Sequence, residues 1–169
     1  MCFAFLAHSP PLRAIIIRMD AISREMLSVL QDDGRISATD LAARVGLSLS
    51  SCHRRQKDLE QSGAIQRYRA VVDPAAVGLT FEAIVFITMG HTSVDVISAF
   101  EEAVTGIPEI VDAQRLFGEP DYMLRVLTRD LTAYQQLYDA TLSGLPGVRR
   151  STSTMVMKQI GPDRTVPIP

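Results

Sequence analysis

The sequence predicts an α+β protein in which a helical N-terminal region precedes a region that alternates strands and helices. Residues 20–62 contain three segments with apolar residues at helical spacing, separated by short turns at Gly34 and Gly46. Residues 81–160 instead have the order strand, helix, strand, strand, helix, strand. That order is typical of the split βαββαβ, or ferredoxin-like, arrangement.

The composition suits a globular protein with a sizeable core. Of 169 residues, 47% are hydrophobic and 21% are charged, which are ordinary proportions for a folded domain. No apolar run approaches the ~20 residues of a membrane span, so we expect no membrane partner. The two cysteines, Cys2 and Cys52, are too few for a disulfide framework, which favours a cytoplasmic location.

The first 18 residues stand apart from the domains. They hold two short apolar patches split by Pro10 and Pro11, and they lack the charged start and long apolar stretch of a signal peptide. We expect a disordered arm or a mis-called start ahead of Met19. The predicted organisation is an arm at 1–18, a helix-turn-helix domain at 19–63, a strand and linker at 64–79, a ferredoxin-like domain at 80–160 and a C-terminal tail at 161–169.

The three N-terminal helices predict a helix-turn-helix. The first covers residues 20–31, the second begins near Ser37, and the third runs from an N-cap at Ser48 to Ser62. Gly46 provides the sharp turn between the second and third helices. The third helix would then enter a DNA major groove with its N-terminal half leading.

The third helix contains LSLSSCHRRQKDLE at 47–60, which suggests a metal site, a catalytic Cys/His pair or a nucleic-acid surface. Adjacent helical residues point about 100° apart, so Cys52 and His53 cannot chelate from one face. Between residues 44 and 69 there are six cationic and two acidic residues, on a chain of net charge −2. This local basic patch favours a polyanion as partner. We expect no metal, cofactor or catalytic residues.

The C-terminal domain is predicted to leave one sheet face uncovered. Both helices of a βαββαβ unit lie on the same side, yet the first strand offers apolar residues to both sides. A bare apolar face implies burial against a partner, with a two-fold homodimer as the default. Strands are predicted at 81–89, 109–118, 121–129 and 148–160, with helices at 93–106 and 130–144. A further strand is predicted at 64–72, followed by a turn with a short helical segment.

Together these segments resemble the Lrp/AsnC (feast/famine) family of transcription regulators over residues 20–160. The matching stretches are DGRISATDLAARVGLS at 33–48, the spacing of Arg55, Leu59, Glu60 and Gly63, GEPDYMLRV at 118–126 and LPGV at 145–148. The resemblance implies a winged-type helix-turn-helix domain joined to a ferredoxin-like (RAM/ACT-like) effector-binding domain. It also implies dimers that assemble further, typically to octamers, and control by a small amino acid.

The resemblance places DNA contacts on the third helix and the segment after it. The implied contacts are Ser50, Ser51, His53, Arg54, Arg55, Lys57, Arg67 and Arg69. It places the effector pocket between ligand-binding domains, near the turn of the GEPDY motif, which contains Gly118, Glu119, Asp121 and Tyr122. The chemistry of an amino acid adds Asp121 as an acceptor for the ammonium, and either the backbone N–H groups of the turn or the last-strand hydroxyls of Thr152, Ser153 and Thr154 as donors to the carboxylate. Last-strand side chains near Met155 would set the size of the effector. The alternative for Gly118 and Asp121 is that they only shape the hairpin.

Two positions depart from the family pattern. Pro120 replaces a residue that is often aromatic, and it removes a backbone donor from the turn. Gln56 shares the inner helix face with Cys52 and Leu59, where the family usually has an aliphatic residue. A buried glutamine without partners costs about 1–3 kcal/mol. The sequence therefore predicts that Gln56→Val or Gln56→Ile stabilises the N-terminal domain.

Two other functions are compatible with the same fold. An effector-independent architectural DNA-binding protein would carry an identical helix-turn-helix. Some proteins that resemble this family are tetrapyrrole decarboxylases, which need histidine and arginine gathered in the C-terminal half. This chain has only His91 there, so we expect a regulator and not an enzyme.

Overall fold

The computed structural model of the chain describes residues 19–161 and 165–169. These residues form two compact units, one containing residues 19–70 with 165–169 and the other containing residues 71–161. The expectations for residues 1–18 lie outside the described residues.

The first unit is built from three capped helices, α1 (Ala21–Asp32), α2 (Ala38–Arg44) and α3 (Leu49–Gln61). The predicted caps form, because the side chains of Ser37 and Ser48 accept from the backbone N–H groups of Asp40 and Ser51. Gly46 adopts a left-handed conformation with φ 66°, which reverses the chain between α2 and α3. The helices enclose a small core of Met26, Leu41, Ala42, Val45, Cys52 and Leu59.

The second unit is a four-stranded antiparallel sheet with two helices, as the sequence predicts. Its elements are β1 (Phe81–Met89), α4 (Val94–Thr105), β2 (Ile110–Arg115), β3 (Tyr122–Thr128), α5 (Leu131–Ala140) and β4 (Val148–Met155). The strand order is β2-β3-β1-β4, which is the order of the ferredoxin-like arrangement. A single 3-10 turn, Ala75–Val77, precedes β1.

Both helices of this unit cover the same face of the sheet. The alternate residues Ala83, Val85, Ile87 and Met89 of β1 join one core cluster with Phe100 of α4 and Tyr134 of α5. The other alternate residues of β1, which include Ile84 and Phe86, are only partly buried. Successive strand residues point to opposite faces, so the second face has no helix over it among the described residues. The predicted bare apolar face is therefore present in the single chain.

Three strand predictions were wrong in detail. Residues 64–72 contain no strand, because a strand requires a paired neighbour and this segment has none within the described residues. The strand β2 ends at Arg115, since the chain then turns back toward β3. The strand β4 ends at Met155, after which Val156 donates one further backbone hydrogen bond to Glu82 at 2.9 Å.

Candidate DNA-binding and effector-binding sites

One face of α3 carries polar and cationic side chains with no role in the core. Ser50, His53, Arg54 and Lys57 are exposed, and their spacing of i, i+3, i+4 and i+7 places them on one helical stripe. Cys52 and Leu59 are buried on the opposite side. The structure therefore brings four of the predicted DNA contacts together, and we call these four residues the α3 stripe.

Arg55 does not belong to the α3 stripe. Its guanidinium donates to Asp20 Oδ2 at 2.6 Å and to Ser23 Oγ at 3.2 Å, and its side chain is only 29% exposed. Hydrogen bonding by the Ser23 side chain and backbone, followed by the bond from Arg55, lowers the pKa of Asp20 to about 2. Arg55 thus links the start of α1 to α3. The sequence is compatible with bonds from Arg55 to neighbouring protein as well as to phosphate, but it does not identify Asp20 and Ser23 as the partners.

Ser51 is also occupied within the protein. It is half-buried, its hydroxyl accepts from Ser48 Oγ at 2.9 Å, and its backbone N–H donates to Ser48 Oγ at 3.3 Å. These bonds belong to the N-cap of α3. Ser51 therefore shapes the start of the helix, and Ser50 is the more accessible of the two serines.

Arg67 and Arg69 lie in the segment after α3 and are exposed. Between them, the Tyr68 hydroxyl accepts from Gln56 Nε2 at 3.0 Å and donates to Glu60 Oε1 at 3.1 Å. Gln56 is half-buried, and its hydrogen bonds to Tyr68 and Glu60 are exposed to solvent. The dry environment assumed for Gln56 was therefore wrong, since its amide fastens the segment after α3 to that helix.

Asp121 holds the β2–β3 hairpin against β1. Its Oδ2 accepts from the Met89 backbone N–H at 2.7 Å, and its own N–H donates to the Ile87 carbonyl at 2.8 Å. Its carbonyl accepts from the Leu116 N–H at 2.7 Å. These three bonds agree with the alternative interpretation, in which Asp121 shapes the hairpin.

Tyr122 lies in the helix-covered core. It is buried, its ring centroid is 4.5 Å from that of Phe100, and its hydroxyl donates to Glu101 Oε1 at 2.9 Å. Burial, followed by the hydrogen bond to Glu101, raises the pKa of Tyr122 to about 12. Its side chain therefore packs within the core of the single chain.

The predicted effector residues of β4 divide between the two sheet faces. Thr152 pairs with Phe86 and Thr154 with Ile84, which places both hydroxyls on the bare face. Ser153 faces the helices, where its hydroxyl accepts from the hydroxyl of Tyr134. Met155 follows Ser153 by two residues at the end of β4 and is exposed.

The hairpin tip carries an aromatic residue that sequence reasoning missed. Phe117 is fully exposed. It precedes Gly118, whose φ of 136° lies in the region of backbone conformation that favours glycine. Glu119 is exposed beside it and lies 3.7 Å from Arg149. The only signal in the sequence was a large apolar residue directly before a glycine turn.

The bare sheet face also carries an ion pair that the sequence did not predict. Arg125 Nε and Nη2 donate to the two carboxylate oxygens of Glu82 at 2.7 and 3.2 Å. Such two-point pairing fixes geometry as well as charge. Glu82 and Arg125 are on neighbouring strands, so only the register between β1 and β3 reveals their contact.

Within residues 19–161 and 165–169, no group of three or more His, Cys, Asp or Glu side chains could hold a metal ion. Cys52 is buried, and its desolvation raises the pKa of the thiol. In the same part of the chain, no helix is both long and apolar enough to span a membrane.

Comparison with known proteins identifies two domain families along the chain. The model for the Lrp/AsnC ligand binding domain matches residues 82–166, and the model for a winged helix-turn-helix DNA-binding domain matches residues 19–66. The leucine-responsive regulatory proteins of Escherichia coli K12 and Klebsiella pneumoniae are each 37% identical over 142 residues, covering 84% of this chain and 87% of theirs.

Solved structures agree with the fold. A transcriptional regulator of Neisseria meningitidis in complex with L-Met has a TM-score of 0.83 and 32% identity, covering 88% of this chain and 96% of that one. An AsnC family regulator of Agrobacterium tumefaciens has a TM-score of 0.82 and 34% identity, covering 88% of this chain and 97% of that one.

Proposed function

Because this chain belongs to the Lrp/AsnC family of transcriptional regulators, with a helix-turn-helix DNA-binding domain and a ligand-binding domain, we propose that it binds specific double-stranded DNA sites through α3. We further propose that a small amino-acid-like effector, bound at interfaces between C-terminal domains, changes this binding or the assembly. The observation that supports DNA binding most directly is the α3 stripe, which is exposed opposite the buried side of the helix.

The chemistry of the α3 stripe suits a major groove. Cationic side chains such as Lys57 neutralise phosphates and release counterions, and arginine at position 54 can donate to both acceptors of a guanine edge. Ser50 and His53 add shorter hydrogen-bonding groups nearer the helix start. Arg67 and Arg69, exposed beyond α3, are proposed backbone contacts that position the helix.

The test is fluorescence anisotropy of a labelled duplex taken from the region upstream of the gene, titrated at several salt concentrations. Lys57→Ala should weaken binding on every sequence and reduce the salt slope by about 1. Arg54→Ala should cost about 1–3 kcal/mol and relax specificity at one position. Lys158→Ala is the matched control, since it removes one exposed cation from the other unit.

Equal losses in all three variants would mean that only net charge matters, which would contradict recognition through α3. A specific regulator should also bind one duplex far better than random DNA at fixed salt. Equal affinity for both duplexes would favour the architectural DNA-binding protein.

The bare sheet face supports assembly through a second copy of the chain. Ile84, Phe86 and Met123 are partly buried there without a covering helix among the described residues. A face of this kind packs against its own symmetry mate in a two-fold dimer. Light scattering behind size exclusion should give a dimer of the 18.6 kDa chain or a multiple of it, with the octamer as our proposed assembly. A monomer at micromolar concentration would contradict this.

The hydroxyls of Thr152 and Thr154, with the backbone of the Gly118 turn, are the proposed partners of an effector carboxylate. In a thermal-shift assay with a panel of L-amino acids, including leucine and methionine, only the amino acid that is the effector should raise the melting temperature of the protein. The double change Thr152→Val and Thr154→Val should abolish that rise, whereas Ser153→Ala, on the other face, should keep it. Loss of the rise in the control would contradict this site.

A further inference from the structure

Residues 165–169 lie against α1 of the first unit. Gln31 Nε2 donates to the Val166 carbonyl at 3.1 Å, and the Val166 N–H donates to Gln31 Oε1 at 2.7 Å. One side-chain amide thus satisfies both backbone groups of one residue, as a neighbouring β-strand would. This two-point bond recognises an extended backbone and is independent of the side chain at position 166.

The segment and α1 form the two walls of an open cleft of about 420 Å³, which is lined on α1 by Arg24, Glu25, Ser28 and Gln31 and on the other side by residues 165–168. Ile168 is half-buried and lines this cleft, whereas Val166 is exposed, so Ile168 is the apolar anchor. Pro167 and Pro169 flank this anchor and restrict the backbone, which reduces the conformational entropy lost when the segment docks.

The cleft lies on the side of α1 that faces away from the core. Arg24, Ser28 and Gln31 follow one another at i, i+4 and i+7, which places them on a single stripe. Met26, fully buried in the core, is two residues from Ser28 and therefore about 200° around the helix. Because α3 packs against the core side of α1 through Cys52 and its neighbours, a segment that lines this cleft leaves the α3 stripe uncovered.

We propose that the outer face of α1 is a binding site for an extended peptide, that its occupant is the 165–169 segment of the same chain, and that this contact is a second tether on the DNA-binding unit. The chain leaves that unit after residue 70 and rejoins it at residues 165–169. With the segment docked, the unit is attached at two points instead of through its linker alone. The docked segment is compatible with bound DNA.

The experiment follows a spin label placed at Pro169→Cys in the full chain, with Cys2→Ser to leave one accessible thiol, since Cys52 is buried. Pro169 is exposed and does not line the cleft. We expect a slow-motion electron paramagnetic resonance spectrum in this parent and a dominant fast-motion component after Gln31→Ala. Asp32→Ala is the matched control, because Asp32 is the next exposed residue of α1 and lies outside the cleft.

A fast-motion spectrum in the parent would contradict the proposed binding site. Equal mobility of the spin label in the Gln31 and Asp32 variants would also contradict it. Mixed oligomers of labelled Gln31→Ala chains with unlabelled wild-type chains identify the occupant. A mobile label is expected for a segment that binds its own chain, and an immobile label would overturn that assignment in favour of a second copy.

Addition of the duplex that binds most tightly should leave the parent spectrum unchanged, because the cleft and the α3 stripe are on different sides of the unit. Release of the label on DNA binding would overturn the tether. The spectra without DNA depend on neither the effector nor the DNA site, so a failure of the proposed function leaves them interpretable.

Discussion

The two units of this chain are stabilised in different ways. Among the described residues, the C-terminal unit gathers thirteen buried residues into one cluster between its sheet and its two helices, whereas the N-terminal unit gathers six. The smaller unit instead relies on polar contacts. Arg55 to Asp20 joins α3 to the start of α1, Gln56 to Tyr68 holds the segment after α3, and Gln31 to Val166 holds residues 165–169 on α1. Small units bury too little apolar surface to rely on the core alone.

This difference matters for function because two of these polar contacts, those of Arg55 and Gln56, are made by the proposed DNA-binding helix. Each exposed contact contributes little to the free energy of unfolding by itself, and the contribution of an ion pair changes with pH and salt. The large apolar core gives the C-terminal unit a stability that is less sensitive to these conditions. The DNA-binding unit is therefore expected to be the first to open locally, and unfolding should be followed with separate probes for the two units.

The largest expected effect is at Phe100, which has the largest fully buried side chain in the part of the chain that the structure describes. Phe100→Ala should reduce the free energy of unfolding of the C-terminal unit by about 3–5 kcal/mol, through lost burial and a cavity. Denaturant titration by circular dichroism measures this change. Phe117→Ala removes the same ring from an exposed position and should stay within about 0.5 kcal/mol. A comparable loss at both positions would mean that Phe117 is buried in an assembly.

The next effect is at Gly147, in the LPGV stretch. Its φ of 71° disfavours any other residue, and a Cβ there would collide with Val96 Cγ1 and lie 2.9 Å from Met89 Cε. Left-handed backbone costs about 1–2 kcal/mol, and overpacking costs about 1–3 kcal/mol more. Thermal unfolding should show Gly147→Ala clearly destabilised. At Gly144, where a Cβ meets nothing within 4 Å, the same change should be nearly neutral.

A smaller effect is expected at the contact between α3 and Tyr68. Gln56→Val should cost about 1 kcal/mol, since it removes a hydrogen bond to the Tyr68 hydroxyl. This reverses the stabilisation expected from the sequence. Tyr68→Phe should cost a similar amount, and the double variant should cost less than the sum because both changes break one contact. A higher melting temperature for Gln56→Val would show that apolar packing outweighs the bond.

The smallest effect is the acid sensitivity of the N-terminal unit. The pKa of Asp20 is about 2 in the folded chain, below its usual value of 3.8. Its stabilising contribution is therefore complete above pH 3.8 and is lost as the pH falls from 3.8 toward 2. Urea titrations between pH 6 and pH 2 should show that Asp20→Asn lowers the free energy of unfolding at pH 6. The variant should also lose less of that free energy than the wild type as the pH falls below 4. An unchanged pH profile would contradict a role for this carboxylate.

Local sequence patterns were enough to predict most of the fold. The caps Ser37 and Ser48 and the left-handed Gly46 act within a few residues, so their structural role is readable without knowledge of the rest of the chain. The same holds for the strand β1, whose predicted bounds match the structure. The prediction of a strand at 64–72 was wrong, because a strand forms only where a second strand pairs with it, and that partner cannot be read from the local sequence.

The candidate sites were predictable only in part, for the same reason. The helical spacing of Ser50, His53, Arg54 and Lys57 predicts one exposed face. Arg55 differs from them because Asp20, 35 residues earlier, reaches its guanidinium. In the second unit, the register between β1 and β4 decides that Thr152 and Ser153 point to opposite faces.

The sequence by itself determined the family, the order of helices and strands, and the exposed polar stripe of α3, because these depend on motifs and on periodicity along the chain. The tertiary structure decided which polar groups are already engaged within the protein. It placed Tyr122 in the core, bound Asp121 to the backbone of β1 and seated Val166 on Gln31. Each of these contacts joins residues far apart in the chain, so only the packed fold brings their atoms within bonding distance.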